Sequence, residues 1–195
     1  MKKYILTDER RVINARFGGE ITLRKIVAIK DFNVNTLQSC KVFVGDTVHT
    51  EKKIVSSRIR AGDSGGWIES ESNLSQEGDA WIGKGAVVFG EVVVKDNAWV
   101  GGEKTAVAGK VLVGGESKIF SDDRDKDETH RTDVYGNIII TGLSKVTSTL
   151  MGEGVVKNQL INRPTEVKLK PASQKTKVKF ECSVGDKKIA REYVL

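Results

Sequence analysis

Between Ala80 and Ile119 the chain alternates apolar triplets with turn formers on a six-residue beat. The units are Ala80-Trp81-Ile82, Ala86-Val87-Val88, Val92-Val93-Val94 and Ala98-Trp99-Val100. After one inserted residue they continue as Thr105-Ala106-Val107, Val111-Leu112-Val113 and Ser117-Lys118-Ile119. The third position is always Ile or Val, and the first is Ala, Val, Thr or Ser. Side chains alternate along a strand, so positions one and three share a side that accepts only small and aliphatic residues. Position two faces the other way and is chemically mixed. Gly83-Lys84-Gly85, Gly90-Glu91, Lys95-Asp96-Asn97, Gly101-Gly102 and Gly114-Gly115 separate the units and suit backbone with φ > 0. Short strand, tight turn and short strand again predicts an all-β parallel β-helix.

Beyond Ile119 the beat breaks. Residues 120–133 are almost wholly polar and predict a loop extruded from one corner. Val134, Ile140 and Val146 resume the interval, with Ser144 and Leu150 near the small-residue phase. They predict one more coil, for three to four in all. The flanks read differently. Tyr4-Ile5-Leu6 and Ile21 to Ile29 predict strands around a turn, and Gly45-Asp46 predicts a hairpin between residues 40–44 and 53–59. In the tail, Val167, Leu169, Val178, Phe180 and Cys182 alternate with lysines and predict a hairpin with one apolar and one lysine face. Gly185-Asp186 then turns into a third strand. The division expected is a basic β-rich N-terminal cap over 1–61, the helix over 62–156, and a basic C-terminal β segment over 157–195.

The hexads, together with Gly62-Asp63-Ser64-Gly65-Gly66-Trp67-Ile68-Glu69 and Asn73-Leu74-Ser75-Gln76-Glu77-Gly78-Asp79-Ala80-Trp81, carry a family resemblance. Over roughly residues 20–156 the chain resembles the hexapeptide-repeat proteins, and within them a phage and bacterial subgroup with a Gly-Asp-x-Gly-Gly-Trp-Ile-Glu entry. The resemblance implies a left-handed winding with three hexads per coil. Many members of the wider family are trimeric acyltransferases that use a histidine base and bind acyl-CoA between subunits.

Charge sharpens the division. Net charge is +6, split as +7 over residues 1–60, −7 over 61–156 and +6 over 157–195. An acidic body between basic ends argues against one continuous nucleic-acid footprint. Cys40 and Cys182 lack metal-ligand spacing and read as free thiols of a reducing compartment. The first residues show no signal-peptide run and no stretch is apolar enough to span a membrane, so a cytoplasmic protein is expected.

Gly62-Asp63-Ser64-Gly65-Gly66 imitates the nucleophile motif of trypsin-like proteases, but His49 is too close upstream to serve as its base. The motif reads as an entry turn. His130, in the polar excursion beside Asp127, Glu128 and Asp133, is the one candidate for acyl transfer, with acyl-CoA as donor. The carboxylates of that excursion lack the glycine and glutamate of a Ca²⁺ loop, and no metal is expected. Lys168, Lys170, Lys177 and Lys179 form a lysine face suited to an acidic protein surface. Nucleic acid is the weaker partner, because no aromatic residues alternate with these lysines. Trp81 and Trp99 fall one coil apart on the same outer face, where an apolar stripe marks an interface.

The function expected from these features is non-enzymatic. The chain would be a phage- or prophage-type binding protein, a homo-oligomer (dimer or trimer) that acts on a host or viral protein through its outer surface. Inhibition of a host defence complex is one such action. The alternatives are an acyl-CoA-dependent acyltransferase using His130, and a virion structural or assembly component.

Overall fold

A computed structural model describes residues 2–14, 19–44, 47–121, 131–161, 167–169, 177–184 and 187–194. Four long strands open the chain: β1 (Tyr4–Asn14), β2 (Glu20–Ala28), β3 (Phe32–Val44) and β4 (Thr47–Ile59). The repeat body follows as β5 (Ser64–Ile68), β6 (Trp81–Ile82), β7 (Val87–Val88), β8 (Val93–Val94), β9 (Trp99–Gly101), β10 (Thr105–Val113) and β11 (Lys118–Phe120). It continues through β12 (Thr132–Thr141), β13 (Lys145–Val146), β14 (Leu150–Lys157), β15 (Leu160–Ile161) and β16 (Val167–Leu169). Strands β17 (Lys177–Val184) and β18 (Lys187–Val194) close it. Among the described residues no helix is long and apolar enough to cross a membrane.

From β5 to β16 every ladder is parallel, and the strands stack on three sides of an all-β parallel β-helix. One side holds β5, β7, the first halves of β10, β12 and β14, and then β16. The second holds β8 with the later halves of β10, β12 and β14. The third holds β6, β9, β11, β13 and β15. The interior is what the hexads require, since no first- or third-position residue of the seven units exceeds 2% exposure.

Among the described residues there are five coils and the start of a sixth, more than the three to four expected. The extra coils were hidden by uneven spacing. The first presents Ile68, Leu74 and Ile82, and the fifth presents Leu150, Val156 and Ile161, so neither keeps the six-residue interval. The tail differs as well. β16 pairs with β14 as part of the body instead of with β17, and β17 pairs antiparallel with β18 across residues 185–186.

One corner is a column of glycines. Strands β10 and β12 stay in unbroken register while they bend at Gly109 and Gly136, which have φ of +87° and +129°. A Cβ on Gly109 would lie 2.8 Å from the carbonyl oxygen of Gly136, so only glycine lets successive coils approach this closely.

A parallel stack ends in unpaired carbonyls and amides that must be satisfied. The N-terminal segment meets this need side by side. On the first side, β2 pairs antiparallel with β5. On the second, the Tyr4 hydroxyl donates to the carbonyl of Leu74 at 2.7 Å and of Glu71 at 3.1 Å. On the third, the fully buried Lys3 ammonium donates to the carbonyls of Ala80 at 2.8 Å and Gly78 at 3.1 Å. Gln76 holds the capping strand in place: its side-chain oxygen accepts from the Lys3 amide and its nitrogen donates to the Tyr4 carbonyl.

Candidate functional site

The polar excursion leaves the body at Ser121 and returns at Arg131, and its stem is clamped. The Ser121 amide donates to Thr105 Oγ1 at 2.7 Å, and the Thr132 hydroxyl donates to the Phe120 carbonyl at 3.1 Å. The Thr132 amide donates to the Lys104 carbonyl at 3.0 Å. Both threonines are buried, at 2% and 1% exposure, so their hydroxyls serve as internal fasteners.

Beside this stem opens a cleft of about 240 Å³, lined by Arg11, Val87, Glu103, Lys104, Thr105, Ala106 and Arg131. Its three cations come from separate places: Arg11 from β1, Lys104 from the turn before β10, and Arg131 from the residue before β12. Strand register sets Lys104 and Arg131 on neighbouring coils, since Thr105 pairs with Thr132. Arg131 Nε lies 3.5 Å from Asp133 Oδ2. The second oxygen, Asp133 Oδ1, is shut off from solvent with no hydrogen-bond donor among the described residues. Among the described residues the cleft thus gathers three cations and the carboxylate of Glu103, with Asp133 against Arg131, in an otherwise acidic body.

His130 itself lies outside the described residues, as do Asp127 and Glu128. Asp133 is the one proposed partner of that imidazole among the described residues; it stands on β12 and faces Arg131. Lys168 stands on β16 and Lys177 and Lys179 on β17, but their side chains, and all of Lys170, lie outside the described residues. The placed cations of interest are Arg11, Lys104 and Arg131, which the sequence reading missed. Nothing local in the sequence links Arg11 to residues so far along the chain.

Trp81 and Trp99 pair directly on adjacent coils of the third side, as their spacing predicted. Their surroundings differ from an exposed stripe. Trp81 is only 2% exposed and belongs to the core, covered edge-on by Tyr4 at 6.5 Å and Phe32 at 5.4 Å. The N-terminal strands, and not a partner, occupy its outer face in this chain. Trp99 is half-buried beside Gly83, whose Cβ would lie 3.0 Å from the ring. The recurring Trp-x-Gly of residues 81–83 and 99–101 was a legible sign of such a seat. Farther along the same side, Lys118 pairs with Lys145. Burial, and then the Lys145 charge, lower the Lys118 pKa.

The entry motif is structural. Gly65 and Gly66 admit no side chain, because a Cβ would meet Trp81 and the Ile82 carbonyl at 2.7 Å, or the Ala86 carbonyl at 2.6 Å. Glu69 accepts from the Gly90 amide at 2.7 Å, and Asn73 donates to the carbonyls of Gly90 and Val92 at 2.9 Å. The glycines of the protease-like string thus serve close packing, and Glu69 and Asn73 after it fasten the first coil to the second. Among the described residues no three His, Cys, Asp or Glu side chains gather at metal-binding range.

Comparison with curated proteins finds similarity to an uncharacterized acetyltransferase, YdcK, of Escherichia coli (strain K12). The two are 33% identical over 106 residues, covering 52% of this chain and 25% of the relative. The chain thus spans about a quarter of the length of the relative it matches. No family model matches the sequence.

Proposed function

We propose that this chain is an acyltransferase of the hexapeptide-repeat type, moving an acyl group from a coenzyme A thioester to an acceptor hydroxyl or amine. The observation that supports it best is the 33% identity over 106 residues to a protein named as an acetyltransferase. The stacked parallel coils suit the same reading. In the reaction His130 takes the proton of the acceptor, whose oxygen or nitrogen attacks the thioester carbonyl. The tetrahedral adduct then collapses, expelling the coenzyme A thiolate, which recovers the proton. On this reading a carboxylate near His130 in sequence, Asp127, Glu128 or Asp133, orients that imidazole. On this reading the coils wind left-handed, the protein works in the cytoplasm, and copies associate as dimers or trimers.

The test combines thiol release from acetyl-CoA over a panel of amine and hydroxyl acceptors with thermal unfolding in coenzyme A. Coenzyme A should raise the melting temperature, and His130→Ala should cut turnover by about 10²-fold or more, the usual worth of a general base. No protection and no thiol release from the wild type would overturn the proposal.

One observation favours a second reading. The half-buried Trp99 and the Lys118–Lys145 pair stand together on the third side of the body. On that reading the chain is a phage- or prophage-type protein that binds a host or viral macromolecule, such as a defence complex, or a virion component. Trp99→Ala would then change oligomer mass or captured partners in sedimentation and pull-down experiments while circular dichroism stays constant.

A further inference from the structure

We propose that the cleft bounded by Arg11, Lys104 and Arg131 is a binding site for the phosphate group of a phosphorylated small molecule. The volume, about 240 Å³, is below the roughly 300–1,000 Å³ of pockets that engulf a whole ligand. It therefore receives one group of a ligand and leaves the remainder outside. Among the described residues the lining favours an anion, with two guanidiniums and one ammonium against the carboxylate of Glu103, and Asp133 as a second carboxylate held against Arg131. Guanidiniums present forked N–H donors that match phosphate oxygens, and each such charge-assisted bond is about twice as strong as a neutral one.

The background makes these charges conspicuous. Residues 61–156 carry −7 overall, and here the basic N-terminal hairpin contributes Arg11 to two cations of that acidic body. The supports are firm. Arg11 pairs with Leu23, which is fully buried, so β1 is anchored directly opposite this residue. Lys104 is tied through its backbone to Ser121 and Thr132, and Arg131 is steadied by Asp133. Val87, 8% exposed, and Ala106 give the cleft an apolar wall, which raises the strength of the charges above it.

Only the identity of the phosphate's carrier rests on the acyltransferase reading, under which the phosphate belongs to the acyl-CoA donor. Anion binding itself does not depend on that reading. The experiment is calorimetric titration of the full chain with inorganic pyrophosphate, coenzyme A and pantetheine, the phosphate-free end of coenzyme A. It is repeated on Arg11→Gln, Lys104→Gln and Arg131→Gln, with Lys157→Gln, at the end of β14 and outside the cleft lining, as a control and circular dichroism as the check on folding.

Pyrophosphate and coenzyme A should compete for one site, and pantetheine should not bind it. Each lining substitution should weaken pyrophosphate binding about ten-fold or more, as expected for loss of a charged hydrogen bond. The control should match the wild type. No pyrophosphate binding, or binding unchanged in all three variants, overturns the phosphate site. Pyrophosphate binding without any for coenzyme A sustains the site and removes acyl-CoA as its ligand. Acyl transfer that needs His130 but ignores all three substitutions sustains the enzyme and removes acyl-CoA as the ligand of this site.

Discussion

Trp81 and Trp99 occupy equivalent positions on neighbouring coils, pair with one another, and are each followed two residues later by glycine. One is sealed beneath Tyr4 and Phe32; the other is half-buried. In a repeat body, equal positions share a backbone and an inward packing. Their outward surroundings are set by whatever else the chain lays across them. Here the N-terminal strands make the first indole a core residue and leave the second as part of a face.

The sharpest way to break the comparison is to truncate both. Trp81→Ala should cost about 3–5 kcal/mol in urea denaturation, a large share of the stability of a domain this size. Trp99→Ala should cost roughly half as much, because less apolar area leaves water there on folding. Equal costs would show that burial from above is energetically irrelevant. Next in size is Tyr4→Phe, which keeps the ring against Trp81 but leaves the Leu74 carbonyl without its 2.7 Å donor. A loss of about 1–3 kcal/mol is expected by the same measurement.

The smallest effect is a pH slope. Burial lowers the Lys3 pKa from 10.5 to about 8, with Asp79 opposing the shift and Lys30 adding to it. Between those values the unfolded chain holds a proton that the folded chain has released. The penalty is therefore complete below pH 8 and fades as pH rises toward 10.5. Lys118 pushes in the same direction. Tyr4 acts oppositely: burial and then Glu71 raise its pKa, so stability is lost where the unfolded phenol ionises, above about pH 10. The urea midpoint should rise from pH 7.5 to 9.5 in the wild type, and rise less in Lys3→Met. An unchanged slope in the variant would remove Lys3 as the source.

The sequence displayed the regular part of this molecule because regularity is a property of local spacing. Ala80 to Ile119 announced both the inward positions and the stacking of Trp81 on Trp99. The first and fifth coils escaped notice because Leu74 to Ile82 and Val156 to Ile161 depart from the interval, although their side chains fill the same interior. Lys3 was illegible for a different reason. A lysine near an amino terminus reads as solvated, and only the unpaired carbonyls of Gly78 and Ala80 give it a reason to be buried. The cleft shares that difficulty, since Arg11 meets Lys104 and Arg131 through folding and not through spacing. The lysine face of the tail and His130 remain readings of sequence alone.

Because β10 and β12 match residue for residue from Thr105–Thr132 to Val113–Ile140, the body has a natural unit of excision. Joining Lys104 to Thr132 would put one buried threonine in the seat of the other and advance each later strand by one storey. Length in such a molecule is counted in storeys, not residues. A protein of this plan can be lengthened or shortened by splicing whole storeys while its capped roof, held by Lys3 and Tyr4, stays as it is.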